Sequence, residues 1–395
     1  MSATTEAPTV TEKDHIDPAS AFVPVQTRSE RKRSFEPADF GRPKGVEVDW
    51  KHSPLQRLAP LLDDAAFDAD AVARNVTAPE GVVVASLAIG AAPRGEVFTP
   101  EDLPAALAWK HSAEALHVLF PQDVEASEAV VVEMSGTDAA LRGAAHVVLE
   151  ARPNSRGTVI LRHRGAAALA ENVEIIVRDG ASLTVITVQE WDDAAVHASA
   201  HQARVGRAAA LRHIVVSFGG GVVRLNPSVE LAGEGAEGDL FGLSFADSGQ
   251  HLESQVYLHH KGPQTRGDVL YKGALQGDTA RSVWIGDVLI GPDATGTDSY
   301  EANRNLVLTP GARADSIPNL EIETGDIQGA GHASATGRFD DEQLFYLQAR
   351  GIPEDEARRL VVIGFLAEIV QKIGDAELEA HLSAAIEAEL AGGLQ

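Results

Sequence analysis

Fourteen histidines and 58 Asp plus Glu residues, with no cysteine, restrict any metal chemistry of this 395-residue chain to imidazole and carboxylate donors of its own or to thiols brought by a partner. Disulfides, thiolate nucleophiles and a self-contained cysteine-ligated metal centre are excluded. His197 and His201, four residues apart, fall on one face of a helix or strand, whereas the adjacent His259 and His260 face opposite sides of a strand. Both pairs are candidates for metal ligation, but neither has a third ligand nearby at convincing spacing, so His197 and His201 read as surface or groove histidines ahead of a metal site. Adjacent acids, Asp192-Asp193 and Asp340-Asp341, have the form of general acid/base pairs, yet no pair stands out from the acidic background. Asp340, with Gln343 three residues on and then Leu344, Phe345 and Leu347, reads instead as a helix N-cap with a reciprocal partner. One further imidazole, His332, stands in a run of small residues, Gly329-Ala330-Gly331-His332-Ala333-Ser334-Ala335-Thr336-Gly337, which reads as a loop that lets backbone approach something closely.

Two nucleotide chemistries are missing. No glycine-rich loop ending in Lys-Ser/Thr is present, so ATP hydrolysis by this chain is not expected, and no Gly-x-Gly-x-x-Gly follows a strand into a helix, so dinucleotide binding of that type is not expected either. A net charge of −25 repels phosphate backbones and anionic lipid, which argues against nucleic acid or membrane as partner. The basic cluster Arg28, Arg31, Lys32 and Arg33 lies among acids and reads as a solvated or partner-facing tail. No run of about eighteen apolar residues and no basic-then-apolar leader occurs, so a cytoplasmic location is expected.

The elements that must position these residues change character along the chain. Residues 1–45, with five prolines among polar and charged residues, read as a mobile arm, docked in places. Residues 46–125 read as a small mixed α/β segment. Within it, Leu55, Leu58, Leu61 and Leu62 at helical spacing and the start signal Thr99-Pro100-Glu101-Asp102 predict two helices, and residues 81–89 predict a strand. Residues 126–338 hold short β-branched runs such as Val130 to Glu133, Thr158 to Arg162 and Leu183 to Val188. Turns built alike, at Asp179-Gly180-Ala181, Glu234-Gly235-Ala236 and Pro310-Gly311-Ala312, with a degenerate copy at Val205-Gly206-Arg207-Ala208, recur between them. The intervals from Gly180 to Gly206 and from Gly206 to Gly235 are nearly equal, and each has the size of one coil of a β-solenoid. A hairpin meander would turn about every 8 to 12 residues. The predicted fold is therefore mainly β, a right-handed parallel β-helix core flanked by the N-terminal α/β segment and, over 339–395, by C-terminal α-helices. Apolar residues on more than one side of the helix from Ala357 to Ile373 predict burial on two faces, either capping the solenoid's open end or docking a partner.

The last third of the chain carries a longer signature: Asn303-Arg304-Asn305-Leu306-Val307-Leu308, Gly311 through Pro318-Asn319-Leu320-Glu321-Ile322, the His332 segment, Leu344-Phe345-Tyr346-Leu347 and Arg350-Gly351. This succession closely resembles the SufB/SufD family of iron-sulfur cluster assembly proteins, strongly from about Tyr271 to Phe365 and more weakly through the β-rich middle. Glu47-Val48-Asp49-Trp50-Lys51 looks like the family's entry segment. The resemblance implies a non-catalytic scaffold that pairs through its β-helix with a SufB-like paralogue, docks a SufC-like ABC-type ATPase on its C-terminal helices, and shares a nascent iron-sulfur cluster with SufB while binding no cofactor alone. The missing cysteines place the chain nearer the SufD branch. On the same resemblance His332 matches a histidine that lies across the junction from a SufB cysteine and would contact iron or the nascent cluster. Family members that carry a cysteine two residues earlier differ from this chain, which has Ala330 there. Arg350, Leu360 and Phe365 fall in the segment that would meet SufC. The rival from another class is a β-helix carbohydrate-active enzyme working with groove carboxylates, for which 4 Trp and 4 Tyr supply little sugar-stacking surface.

Overall fold

A computed structural model describes Arg28, residues 31–338 and residues 341–392. Strands β1 (Val72–Thr77) and β2 (Val83–Ala88), helix α1 (Leu103–His111) and strand β3 (Glu114–Phe120) lead into two long strands, β4 (Val130–Ala151) and β5 (Arg156–Val177). Shorter strands of nearly uniform length then succeed one another: β6 (Ser182–Trp191), β7 (Val196–Val205), β8 (Ala210–Ser217), β9 (Val222–Leu231), β10 (Glu237–Ala246), β11 (His251–His260), β12 (Arg266–Leu275) and β13 (Arg281–Ile290). The last coils are β14 (Thr297–Val307), β15 (Arg313–Ile322) and β16 (Ile327–Arg338), followed by helices α2 (Asp341–Gln348), α3 (Glu354–Val370) and α4 (Ala376–Gly392).

From β5 onward odd strands pair with odd and even with even, all parallel, and β5 belongs to both runs. That pattern is a parallel β-helix of about eight turns. Successive register partners Arg156, Ser182, Ala210, Glu237, Arg266 and Asp298 advance along the chain by nearly equal steps, matching the coil length read from the glycine spacing. Turn chemistry explains the spacing: Gly180, Gly235 and Gly311 all have positive φ, and a Cβ on Gly180 would lie 2.5 Å from Asn154 Oδ1 of the preceding coil. In the degenerate copy Ala208 takes the left-handed conformation instead (φ 50°).

Side chains alternate between a lumen and an outer surface. The lumen holds Val159, Leu161, Val185, Leu211, Val215, Leu240, Val269 and their equivalents in one continuous core. The outer face of the even sheet, with Ile186, Ile214, Phe241 and Phe245, is covered by Val362, Leu366 and Ile369 of α3 and by Leu378, Leu382 and Ile386 of α4. The C-terminal helices thus lie along the flank of the solenoid rather than over its end. Among the described residues no strand pairs with the outer edges of β15 and β16.

Three local expectations are corrected. Leu55 to Leu62 form turns and a single 3-10 turn, Ala59–Leu61, because Pro60 occupies its first turn and cannot donate to a longer helix. The cap of α1 is Asp102 rather than Thr99: its side chain accepts from Ala105 N at 3.0 Å and Pro104 sits in the first turn. His332 lies within β16, not in a loop, since small residues over this stretch still complete a parallel ladder with β14. The expected cap at Asp340 lies outside the described residues. The N-terminal strands join the same sheet, β1 antiparallel to the first half of β4 and β3 parallel to its second half.

Candidate functional site

The open end of the solenoid is formed by the edge strands β15 and β16, and β14 pairs with β16 just inside it. His332 on β16 is exposed, and its register partner on β14 is Glu301. Partners in a parallel ladder project to the same face, about 4.8 Å apart, so both belong to the lumen side of the last coil. Glu301 is only 1% exposed, and neither carboxyl oxygen has a hydrogen-bond partner among the described residues. Burial, and then the neighbouring Asp287 carboxylate, push its pKa up to about 8. Glu301 therefore stands largely protonated at neutral pH. Asp287 is also raised by burial, and accepts a hydrogen bond from Asn319 Nδ2 at 2.8 Å. The carboxyl of Glu301 fits because residue 286 is glycine, where a Cβ would lie 2.5 Å from Oε2 and 2.2 Å from the Trp284 ring. Ser334 Oγ on β16 donates to Ser316 Oγ on β15 at 2.8 Å and ties the two edge strands together. An exposed imidazole beside a buried neutral carboxyl can offer one nitrogen and one oxygen to a cation delivered at the edge. Alone it is an incomplete metal site.

A second cluster lies deep in the lumen. His163 and Glu171 of β5 meet His197 of β7, each at most 1% exposed, with the three ligand atoms within 4.8 Å of one another. His163 Nε2 and His197 Nε2 each stand 3.2 Å from the Glu171 carboxylate. Ser199 Oγ donates to Glu171 Oε2 at 2.9 Å, and His201 Nε2 contacts Ser199 Oγ at 2.9 Å. His201 Nδ1 meets His213 Nε2 at 2.9 Å, and burial drives the pKa of both imidazoles down. His197 and His201 do share a face, as their spacing predicts, but that face is the lumen rather than a surface. His259 and His260 diverge as expected, with His260 buried between Thr265 Oγ1 and Ser299 Oγ at 2.8 and 2.9 Å. Asp192 and Asp193 sit in the exposed turn between β6 and β7, where Asp193 accepts from Gln250.

Sequence reasoning missed Glu301, His163 and Glu171. The signal available was the coil length: Glu171 and Ser199 are register partners one coil apart, as Glu301 and His332 are.

The helical segment presents the other candidate surface. Phe345, Tyr346 and Leu360 are 72%, 56% and 43% exposed. The Arg350 guanidinium lies over the Tyr346 ring at 4.4 Å. Phe365 instead turns inward, half-buried, with Lys272 Nζ 4.7 Å from its ring centre, and packs on the core beneath α3. Thus Arg350 and Leu360 stand on the outer side of the segment, and Phe365 does not join them. The basic cluster at the N-terminal end is not a free tail: Arg28 is buried with Nε 3.1 Å from Glu101 Oε2, and Arg33 binds the other oxygen at 2.9 Å. No helix among the described residues is long and apolar enough to cross a membrane.

Residues 134–365 match the family model for the SufBD core domain of SUF system FeS cluster assembly. The iron-sulfur cluster assembly SufBD family protein Rv1462 of Mycobacterium tuberculosis is 47% identical over 372 residues, covering 93% of this chain and 94% of its own. The SufBD family protein ML0594 of Mycobacterium leprae is 46% identical over 363 residues, covering 90% and 93%. A second SufBD family protein of Mycobacterium leprae, ML0593, is 30% identical over 222 residues, which span 56% of this chain and 25% of that longer protein. With the solenoid, its open edge and these relatives together, the chain belongs to the SufBD family of iron-sulfur cluster assembly proteins.

Proposed function

We propose that this chain is the SufD-like scaffold subunit of a cytoplasmic complex with a SufB-like paralogue and a SufC-like ABC-type ATPase, itself non-catalytic, and that iron and sulfide are assembled at the end of its solenoid. The observation that carries this reading is the edge of β15 and β16, uncovered among the described residues and bearing an exposed His332 above the buried Glu301, which is unpartnered among them, in a protein without cysteine. Unpaired strand edges are templates for pairing with another sheet. The partner supplies thiolates, His332 supplies an imidazole nitrogen, and a cation arriving there favours ionisation of Glu301, which burial otherwise keeps protonated. Mycobacterium leprae and Mycobacterium tuberculosis each hold a second, more distant SufBD family protein, which supports a paralogous partner. The exposed Phe345, Tyr346 and Leu360 with Arg350 would receive the ATPase, while Phe365 would hold α3 on the solenoid so that this surface keeps its shape.

The test is anaerobic co-purification of the tagged chain from its own cells, with partner identification and iron and sulfide assays. Recovery with a SufB-like protein, an ABC-type ATPase and cluster iron that depends on the SufB-like partner is the expected result; recovery alone and iron-free refutes the reading. His332→Ala is expected to leave complex assembly intact and to lower cluster iron at least about tenfold, the usual cost of losing a metal ligand or its support. Unchanged cluster iron would remove His332 from the site while leaving the scaffold role standing.

A further inference from the structure

We propose that His163, Glu171 and His197 form a binding site for one divalent first-row transition cation inside the lumen, separate from the open edge where the cluster is assembled. Odd-numbered positions of β5 to β8 face the lumen, and there Val159, Leu161, Leu169, Val185, Ala203 and Val215 form apolar core. Within that core sit two imidazoles and a carboxylate, with no lysine or arginine paired to Glu171 among its described ion pairs. Hydrogen bonding fixes how the rings are presented. His163 Nδ1 lies 3.3 Å from the Val188 carbonyl and Nε2 3.2 Å from Glu171 Oε1; both partners only accept, so a cation that takes the place of the Nε2 proton leaves Nδ1–H held by Val188. Gln189 donates its amide nitrogen to Thr187 Oγ1 at 2.7 Å, which turns its oxygen toward His197 Nδ1 at 2.9 Å. Trp191 Nε1 stands 3.1 Å from Gln189 Oε1 and 3.2 Å from His197 Nδ1; with its hydrogen given to Gln189 Oε1, His197 Nδ1 donates to that same oxygen at 2.9 Å. His197 Nε2 has no hydrogen-bond partner among the described residues, although a carboxylate oxygen of Glu171 stands 3.2 Å away.

Two Nε2 atoms and a carboxylate thus converge on one point, where a single cation can replace the protons that otherwise lie between them. A cation satisfies all three at once. Two donors each about 2.1 Å from a metal at a tetrahedral angle are about 3.4 Å apart, close to the 3.2 Å found on both sides of Glu171. Carbonyl oxygens on the Nδ1 atoms are the outer support that metal-bound histidines use. Two imidazoles with one carboxylate suit Zn²⁺ or Fe²⁺ and not calcium or magnesium, which take oxygen ligands. The Trp191 ring centre is 5.6 Å from both His163 and His197, so a bound paramagnetic ion would quench its fluorescence.

The test uses the full chain, purified without a metal-affinity tag, and elemental analysis for zinc and iron. Wild type and His332→Ala are both expected to hold about one equivalent, and Glu171→Gln and His197→Gln at least about tenfold less. Wild type unfolded with chelator and refolded with Co²⁺ is expected to show the visible bands of a four- or five-coordinate ion and quenched fluorescence, the quenching being lost in Trp191→Phe. If the ligand variants misfold, the wild-type Co²⁺ spectrum and the Trp191→Phe comparison decide. A metal-free wild type that refolds normally with Co²⁺ but shows neither signal overturns the proposal, as does metal content unchanged in both ligand variants. Loss of metal in His332→Ala would overturn the separation of this site from the open edge.

Discussion

Replacing Glu301 by Gln tests whether the carboxyl at the solenoid mouth is held neutral by its surroundings. In the folded chain its pKa is pushed up to about 8, against 4.5 for an exposed carboxyl. A raised carboxyl means that the folded state holds a proton the unfolded state has already lost, so stability falls as pH rises from the lower value to the upper. Each pH unit inside that window costs about 1.4 kcal/mol, so on the order of 4 kcal/mol is lost between pH 5 and pH 8. Glutamine resembles the protonated acid and cannot ionise. Urea unfolding of the isolated chain and of Glu301→Gln across this range should therefore give curves that diverge as pH rises, the variant gaining on the wild type and the gap levelling off above pH 8. Asp287→Asn should reduce the wild-type slope without abolishing it, because burial is the larger cause and the Asp287 charge the smaller. Parallel curves for wild type and Glu301→Gln would refute the reasoning, since they would show a carboxyl that ionises alike in both states.

Further consequences concern the two ends of the molecule. Arg224 is buried over the Trp50 ring at 4.0 Å, with Nη1 2.6 Å from Asp102 and Nε 3.2 Å from Glu253. Arg224→Ala takes the arginine away from two buried carboxylates, which keep only weaker partners, Asn226 on Asp102 and His251, Ser53 and Gln255 on Glu253, and should cost about 3 kcal/mol in urea unfolding, whereas a loss below about 1 kcal/mol would contradict the pairing. Leu360→Asp should leave stability within about 0.5 kcal/mol and, if the proposed ABC-type ATPase docks there, weaken its binding at least about tenfold by titration calorimetry. Unchanged affinity would move the docking surface away from α3.

The fold was largely legible because a β-helix writes its period into the chain. Gly180, Gly206 and Gly235 mark coil turns at nearly equal intervals, and the registers of β5 to β12 repeat at the same intervals. Local rules failed where two signals competed. Leucine spacing from Leu55 suggested a helix, but Pro60 limited it to one turn. Thr99-Pro100 looked like a helix start, but the Asp102 carboxylate both caps Ala105 N and meets Arg224, so the helix begins later. Glycine and alanine around His332 suggested a loop, yet the ladder with β14 supplies backbone partners that no side-chain preference announces.

Composition by itself determined that this chain brings no thiolate, no phosphate-binding loop and a strongly acidic surface, and its turn spacing determined a solenoid. Only the tertiary structure decided which residues meet. Register places Glu301 beneath His332, and it closes His163, Glu171 and His197 around one point of the lumen from two different coils. It also turned Phe365 inward while leaving Leu360 outside. The reason is physical: residues one coil apart become neighbours through backbone hydrogen bonds that every residue type can make, so nothing in their identity reveals the pairing until the length of each coil is known.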